Sequence, residues 1–105
     1  MSLKIKELLV EYQKDPLGLD EAAPRFSWLL DSGEKDTLQT AYRIQVKDGN
    51  TVCWDTGRME SGRSRNVEYG GRPLAPCTAY HVLAQVWDSH GCHAEKEARF
   101  ETGFM

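Results

Sequence analysis

The sequence lacks the features that would indicate a membrane or a nucleic acid as partner. Its apolar residues come in short bursts, so there is neither an unbroken apolar span of about 18 residues nor a signal-peptide apolar region behind the start. Thirteen basic and sixteen acidic residues give a formal net charge of -3, and no run of five or more like charges creates a local field. We therefore expect a soluble chain that binds neither membrane nor nucleic acid.

Cysteine is also scarce. There are three cysteines, an odd number, and they have no repeating spacing: Cys53, Cys77 and Cys92. Such a set suits free thiols in a reducing compartment better than a disulfide framework. The sequence therefore favours a cytoplasmic location, while it leaves open the export of a larger parent protein.

Side-chain arrangements that carry out catalysis are missing as well. Glycoside hydrolysis generally uses two carboxyl groups across a sugar-sized gap. The acidic candidates lie in expected turns and on wet strand faces, where a carboxylate is usually a solvated charge; they are Asp20, Glu21, Asp55, Glu60, Glu95 and Glu97. No Ser/His/Asp set has a strand-turn-helix context, and no glycine-rich loop precedes a helix. We predict no catalytic residue and no cofactor.

A metal site is not expected either. His90, Cys92 and His93 lie at one turn, and Cys77 is a further side chain able to bind a metal. Structural zinc sites usually draw on two separated pairs of ligands, and ligands crowded into one tight turn do not converge easily. We interpret these side chains as polar turn residues.

What the sequence does contain is a regular succession of turn signals. Glycine, proline, asparagine and aspartate divide its 105 residues into pieces of about ten residues, which is typical of an all-β sandwich or barrel. A chain of this length with 40% hydrophobic residues can bury one modest core. We therefore expect one domain over residues 1–105, built from seven strands.

Alternation of apolar and polar residues places the clearest of these strands. Three apolar rows are predicted to face the core: Phe26, Trp28 and Leu30; Tyr42, Ile44 and Val46; and Tyr80, Val82, Ala84 and Val86. Asp48-Gly49-Asn50 is predicted to form a hairpin turn, because these residues tolerate left-handed backbone. The segment from Lys4 to Tyr12 also fits a helical stripe, and we interpret it as the first strand.

A tyrosine before one of these rows carries a resemblance to a known fold. The pattern Leu74-x-Pro76-x-Thr78-x-Tyr80 resembles the corner before strand F of fibronectin type III domains. In such a tyrosine corner the hydroxyl bonds to upstream backbone and fixes the crossing between the sheets. The resemblance implies a seven-stranded antiparallel β-sandwich of the fibronectin type III or immunoglobulin-like class.

A narrower resemblance covers almost the whole chain. Six segments in order are similar to the N-terminal domain of bacterial α-L-rhamnosidases: Asp15-Pro16-Leu17-Gly18, Pro24-Arg25-Phe26-Ser27-Trp28, Gln39-Thr40-Ala41-Tyr42-Arg43-Ile44, Trp54-Asp55-Thr56-Gly57, Tyr69-Gly70-Gly71 and Phe100-Glu101-Thr102-Gly103. The sequence departs from that family in strand F, where His81 and Val82 stand in place of a tryptophan. It also departs in the final strand, where the family's serine and tryptophan are missing and the stretch Ala94 to Lys96 takes their place.

That resemblance implies a particular role. In such enzymes, which hydrolyse terminal α-L-rhamnosyl residues of glycosides, further β domains and an α/α barrel follow, and the barrel holds the acidic catalytic residues. The chain is thus expected to be a fragment of a larger protein. It would serve as a non-catalytic structural and interdomain module whose partners are the neighbouring domains.

One surface is a candidate for contact with those domains. Leu83 and Trp87 have the parity opposite to the buried row of their strand and are predicted to point outward, and Trp54 is expected to be partly exposed. Arg43 on the neighbouring strand would supply a polar rim. We favour domain docking here over two alternatives, a scattered surface residue without special role and a sugar-binding platform of a free-standing adhesion or carbohydrate-binding module.

Overall fold

The structure, a computed structural model, describes residues 3–32 and 38–104. Within these ranges the chain forms strands and turns and no helix, so no helix there is long and apolar enough to cross a membrane. The strands are β1 Leu3–Val10, β2 Arg25–Ser32, β3 Gln39–Asp48, β4 Thr51–Asp55, β5 Val67–Glu68, β6 Ala79–Asp88 and β7 His93–Glu101.

The strands form two sheets, one of three strands in the order β1-β2-β5 and one of four in the order β4-β3-β6-β7. All neighbouring strands pair antiparallel. The fourth strand lies beside β3, whereas in a constant-type immunoglobulin domain it joins the other sheet. The prediction of a seven-stranded antiparallel β-sandwich is confirmed.

The core lies between the sheets and uses the alternation seen in the sequence. The three predicted rows all contribute, and Phe26, Trp28, Ile44 and Val86 are at most 1% exposed. Leu30, at the end of its row, is half-buried and packs against this cluster. Two facing sheets of alternating side chains therefore bury one continuous core, as expected of an aligned sandwich.

Five aromatic rings form a connected series through this core. Tyr69 meets Trp54 edge to face at 5.3 Å between ring centroids, and Trp54 stacks on Phe26 at 6.0 Å. Phe26 continues to Phe100 at 6.2 Å, and Phe100 stacks on Tyr80 at 5.2 Å. Each such pair adds about 0.5–1.5 kcal/mol to the burial of its rings.

The turns follow the predicted chemistry. Gly49 has φ +58 between β3 and β4, where Asp48 pairs with Thr51, so the predicted hairpin is confirmed. Tyr80 forms the predicted corner, since its hydroxyl accepts a hydrogen bond of 2.7 Å from the backbone N–H of Ala75. The first segment is a strand, as interpreted, but it ends at Val10 because Glu11 and Tyr12 adopt left-handed conformations.

The last residues are joined to an early loop. Leu19 and Thr102 form an isolated parallel bridge, in which the Leu19 N–H donates to the Glu101 carbonyl and the Gly103 N–H donates to the Leu19 carbonyl, each at 2.8 Å. The Glu101 N–H also donates to the Pro16 carbonyl at 3.0 Å. The early loop and the residues around the end of β7 are thus parts of one hydrogen-bonded structure.

Candidate functional site

The outer face of the four-stranded sheet carries three of the predicted surface residues. Arg43 pairs with Gln85 across β3 and β6, and the same face of β6 presents Leu83 and Trp87, all half-buried. The inner-facing neighbours of these residues are fully buried, so the alternation is kept along the whole strand. The structure therefore brings Arg43, Leu83 and Trp87 onto one surface, as predicted.

Arg43 is held by a network on this surface. Its Nε donates to Asp55 Oδ1 at 2.9 Å, while Asp55 also accepts hydrogen bonds from the side chain of Gln45 and the N–H of Gly57. The hydrogen bond from Arg43 is the main reason that the pKa of Asp55 lies well below its usual range, and it raises the pKa of Arg43. Arg43 is thus an ordered cation rather than a freely rotating side chain.

Trp87 is covered in part by its neighbours. The Arg58 guanidinium lies over the indole ring, 4.6 Å from its centroid, and His93 on β7 stacks beside it at 6.2 Å. Ala41, which pairs with Trp87 across β3 and β6, is fully buried. A cation in this position occupies the ring face that a sugar would need for stacking.

Leu83 and Trp87 do not form one apolar patch. They lie four positions apart on β6, which is about 13 Å in a strand. Between them Gln85 faces outward and donates a hydrogen bond of 3.0 Å to Glu95 on β7. Polar side chains thus divide the surface, which resembles the wet rim of an interface more than its apolar centre.

Trp54 lies apart from Arg43, Leu83 and Trp87; it is half-buried, so the partial exposure predicted for it is confirmed. It pairs with Val46, whose side chain is fully buried, and so faces the sandwich interior. There it packs on Phe26 and Tyr69. The short strand β4 lies at the edge of its sheet, which explains why Trp54 is half-buried although it faces inward.

A concave apolar site that the sequence did not indicate lies on the outer face of the three-stranded sheet. It has a volume of about 270 Å³, and its lining includes Leu9, Tyr12, Ser27, Leu29 and Asn66. Tyr12 is 57% and Leu29 45% exposed. The sequence did not indicate this site because Tyr12 was interpreted as part of the first strand. In the structure its left-handed backbone turns the side chain over the sheet.

Three of the acidic candidates have separate partners. Glu60 pairs with Arg58, Asp55 with Arg43, and Glu95 with Gln85. Across residues 3–32 and 38–104, no three His, Cys, Asp or Glu side chains are grouped so that they could hold a metal ion.

The metal-capable side chains considered from the sequence lie at opposite ends of the sandwich. Cys77 donates its N–H to Gly103 at one end. At the other end, Asp88 accepts hydrogen bonds from the N–H groups of His90 and Cys92, each at 2.9 Å.

Comparison with known proteins gives this fold a family. A family model described as the Rha78A-like, N-terminal immunoglobulin domain matches residues 5–105. The chain belongs to this family. The domain is 38% identical, over 99% of its length, to an α-L-rhamnosidase of Streptomyces avermitilis, of which it covers 11%. It is 34% identical to an α-L-rhamnosidase of Alteromonas sp., with 99% of this chain and 12% of that protein covered.

Solved structures agree with the family assignment. The Rha78A-like domain superposes with a TM-score of 0.90, at 36% identity over 97% of the chain, on 11% of the Streptomyces avermitilis α-L-rhamnosidase crystallised with L-rhamnose. It superposes with a TM-score of 0.88, at 34% identity over 96% of the chain, on 12% of the α-L-rhamnosidase from Dictyoglumus thermophilum. The domain therefore spans about one-ninth of the relatives that it matches.

The segments that carried the resemblance meet in pairs in this Rha78A-like domain. Trp54 lies against the glycines of the Tyr69-Gly70-Gly71 segment. Leu17-Gly18 and the last residues, Thr102-Gly103, belong to the bridge between the early loop and the chain end. The spaced motifs thus correspond to contacts that hold the sandwich together, not to a reaction centre.

Proposed function

We propose that this domain is the non-catalytic N-terminal module of an α-L-rhamnosidase-type glycoside hydrolase, whose other domains cleave terminal α-L-rhamnosyl residues. The observation that carries the proposal is the match to an N-terminal domain family together with relatives of which the chain covers only 11%. Three of the acidic side chains considered as candidates have separate partners: Asp55 binds Arg43, Glu60 binds Arg58 and Glu95 binds the amide of Gln85.

The experiment that tests this proposal compares the domain with its parent protein. The reading frame is followed in the source DNA beyond Met105, the whole polypeptide is produced, and both proteins are assayed with 4-nitrophenyl α-L-rhamnopyranoside. We expect turnover by the parent and none by the 105-residue domain. Turnover by the pure domain, or a parent that cleaves other glycosides but no rhamnoside, would contradict the proposal.

The role of the module within the parent is structural. A sandwich that packs against neighbouring domains makes contacts that exist only while those domains are folded, and these contacts stabilise the folded state of the parent. A parent lacking residues 1–104 is therefore expected to unfold at a lower temperature while its remaining folded fraction keeps its kcat. A loss of kcat without loss of stability would instead indicate that the module reaches the substrate.

The outer face with Arg43, Leu83 and Trp87 is proposed as a polar contact surface for a neighbouring domain. The ordered Arg43–Asp55 pair and the Arg58–Trp87 stack supply fixed side chains for such a contact. The alternative, a carbohydrate-binding module, has less support, because Trp54 faces inward and the Trp87 ring lies beneath Arg58. A Trp87→Ala parent that keeps the stability of the unaltered parent would remove this surface from consideration.

A further inference from the structure

One end of the sandwich is built from three segments, and hydrogen bonds from the last of them join the other two. This exit end consists of residues 16–20, residues 75–78 and the last described residues, 102–104. The Cys77 N–H donates to the Gly103 carbonyl at 2.9 Å, and the Gly103 N–H donates to the Leu19 carbonyl at 2.8 Å. The Thr102 hydroxyl donates to the Ala75 carbonyl at 2.6 Å and accepts from the Thr78 N–H at 2.9 Å. The end of the chain is thus fixed on both sides.

The exit end carries the two large apolar side chains with the highest exposed fractions in the described part of the chain. Phe104 is 90% and Leu17 72% exposed, more than any other large hydrophobic residue in that part of the protein. Ala75, Pro76 and Cys77 in the adjacent loop are exposed as well. Exposed apolar side chains that are gathered at one end of a domain often mark a contact surface.

Leu17 is held outward by its backbone. Pro16 before it is buried and its carbonyl accepts a hydrogen bond from Glu101, while Asp15 and Gly18 on either side adopt left-handed conformations, with φ of +48 and +68. The turn cannot rotate Leu17 into the core without breaking the hydrogen bond between the Glu101 N–H and the Pro16 carbonyl. The exposure of Leu17 is therefore a property of the fold, and it does not depend on where the sequence stops.

We infer that the exit end is the docking surface for the domain that follows in the same polypeptide, with Leu17 and Phe104 as its apolar contacts. The inference rests on the proposed function, since it requires a longer parent. The relatives are about nine times as long as the matched length, and the family is an N-terminal domain, so the polypeptide of such a parent leaves through Phe104. Because Thr102 and Gly103 are fixed to two loops, the polypeptide leaves the sandwich beside the exposed Leu17.

The opposite end of the sandwich provides a matched control. Leu38 precedes β3 and lies beside the β6–β7 turn, where the Ser89 N–H donates to its carbonyl at 2.8 Å. It is 68% exposed, nearly as much as Leu17. The ten residues of β6 separate the two ends by about 30 Å. A domain that follows the chain end directly covers Leu17 and leaves Leu38 in water.

Hydroxyl-radical footprinting with mass spectrometry tests the inference directly. The isolated 105-residue domain and the full-length parent are oxidised side by side, and the labelling of individual side chains is compared. We expect labelling of Leu17 and Phe104 to fall at least fivefold in the parent, while labelling of Leu38 stays the same. Equal labelling of Leu17 in the two proteins overturns the inference, as does protection confined to Tyr12 and Leu29.

A substitution gives an independent readout. Leu17→Asp in the parent is expected to speed proteolytic cleavage after the domain several-fold, whereas Leu38→Asp leaves the rate unchanged. The isolated Leu17→Asp domain should keep its unfolding temperature, because the side chain is already in water; an unchanged cleavage rate in such a folded variant counts against docking.

The rhamnoside assay of the same parent separates the two proposals. Full activity without protection of Leu17 contradicts the docking surface alone, and protection without rhamnosidase activity contradicts the proposed function alone.

Discussion

The indole Nε1 of Trp28 donates a hydrogen bond of 2.8 Å to Oε1 of Gln39. Trp28 is the largest side chain that is fully buried, and its N–H has to find an acceptor at the border of the core. Gln39 in turn donates from Nε2 to the carbonyls of Ser61 and Arg63, at 3.1 and 2.8 Å. One glutamine therefore links the core of one sheet to the long connection after β4.

Replacement of this glutamine should destabilise the domain. Gln39→Ala leaves the Trp28 N–H without its acceptor and frees the connection around Ser61, so we expect a loss of about 1–3 kcal/mol in the free energy of unfolding. Urea denaturation followed by tryptophan fluorescence measures it. Gln13→Ala, at an exposed position, is the control and should change stability by less than about 0.5 kcal/mol. A Gln39→Ala value as small as the control would show that water replaces the acceptor at no cost.

The tyrosine corner should contribute to the stability of the domain through the hydroxyl of Tyr80. Tyr80→Phe keeps the ring on Phe100 but removes the acceptor for the Ala75 N–H, which should cost about 1–2 kcal/mol. Tyr42→Phe is the matched control, because Tyr42 is also a buried core ring and its hydroxyl makes no hydrogen bond within the described part of the chain. Thermal unfolding followed by circular dichroism distinguishes them; equal losses would mean that the corner hydroxyl has no special role.

Adjacent glycines beneath Trp54 should respond very differently to alanine. A Cβ at Gly71 would lie 2.5 Å from Trp54 Cβ and closer still to the Cys53 carbonyl, whereas at Gly70 the nearest atom is Trp54 Nε1 at 3.5 Å. We expect Gly71→Ala to cost about 1–3 kcal/mol through overpacking, with a shift in Trp54 emission. Gly70→Ala should stay within about 0.5 kcal/mol. Similar losses at both positions would contradict the close packing described here.

Acid should weaken the Arg43–Asp55 pair. The pKa of Asp55 is lowered in the folded state, mainly by Arg43, while in the unfolded chain it is about 3.9. The stabilisation is therefore complete above about pH 5 and is lost as the pH falls below the unfolded pKa towards the folded one. Because the Asp55 side chain is 29% and the Arg43 side chain 37% exposed, we expect about 1 kcal/mol.

A pair of variants isolates this effect, since Glu11, whose pKa is lowered by Arg25, responds to acid in the same direction. The difference in unfolding free energy between the domain and its Asp55→Asn variant should shrink between pH 7 and pH 3. In an Arg43→Gln background the difference should depend much less on pH. A difference that is constant with pH in the unaltered domain would contradict the assignment.

Much of the fold could be predicted from short-range patterns. Period-two alternation located β3 and β6 and the hairpin beyond Asp48, because those strands bury one face completely. Tyr80 and Trp28 were placed correctly for the same reason.

Trp54 shows where such reasoning ends. Its strand has five residues at a sheet edge, and a register shift lies between Val46 and Lys47, so parity counted along β4 alone does not reveal which way the ring points. The concave apolar site at Tyr12 was missed because two consecutive left-handed residues, Glu11 and Tyr12, end β1 at a place where the sequence has no glycine. Contacts between distant segments, rather than local propensity, decide both positions.

The bridge between Leu19 and Thr102 also sets the order in which a ribosome can deliver a finished domain. A parallel pairing of an early loop with the residue that follows β7 cannot form until Thr102 has left the ribosome, and until then the loop lacks this partner. In a longer polypeptide, synthesis of the next domain is already under way at that moment. In such a polypeptide the sandwich would complete its folding while the next domain is being synthesised.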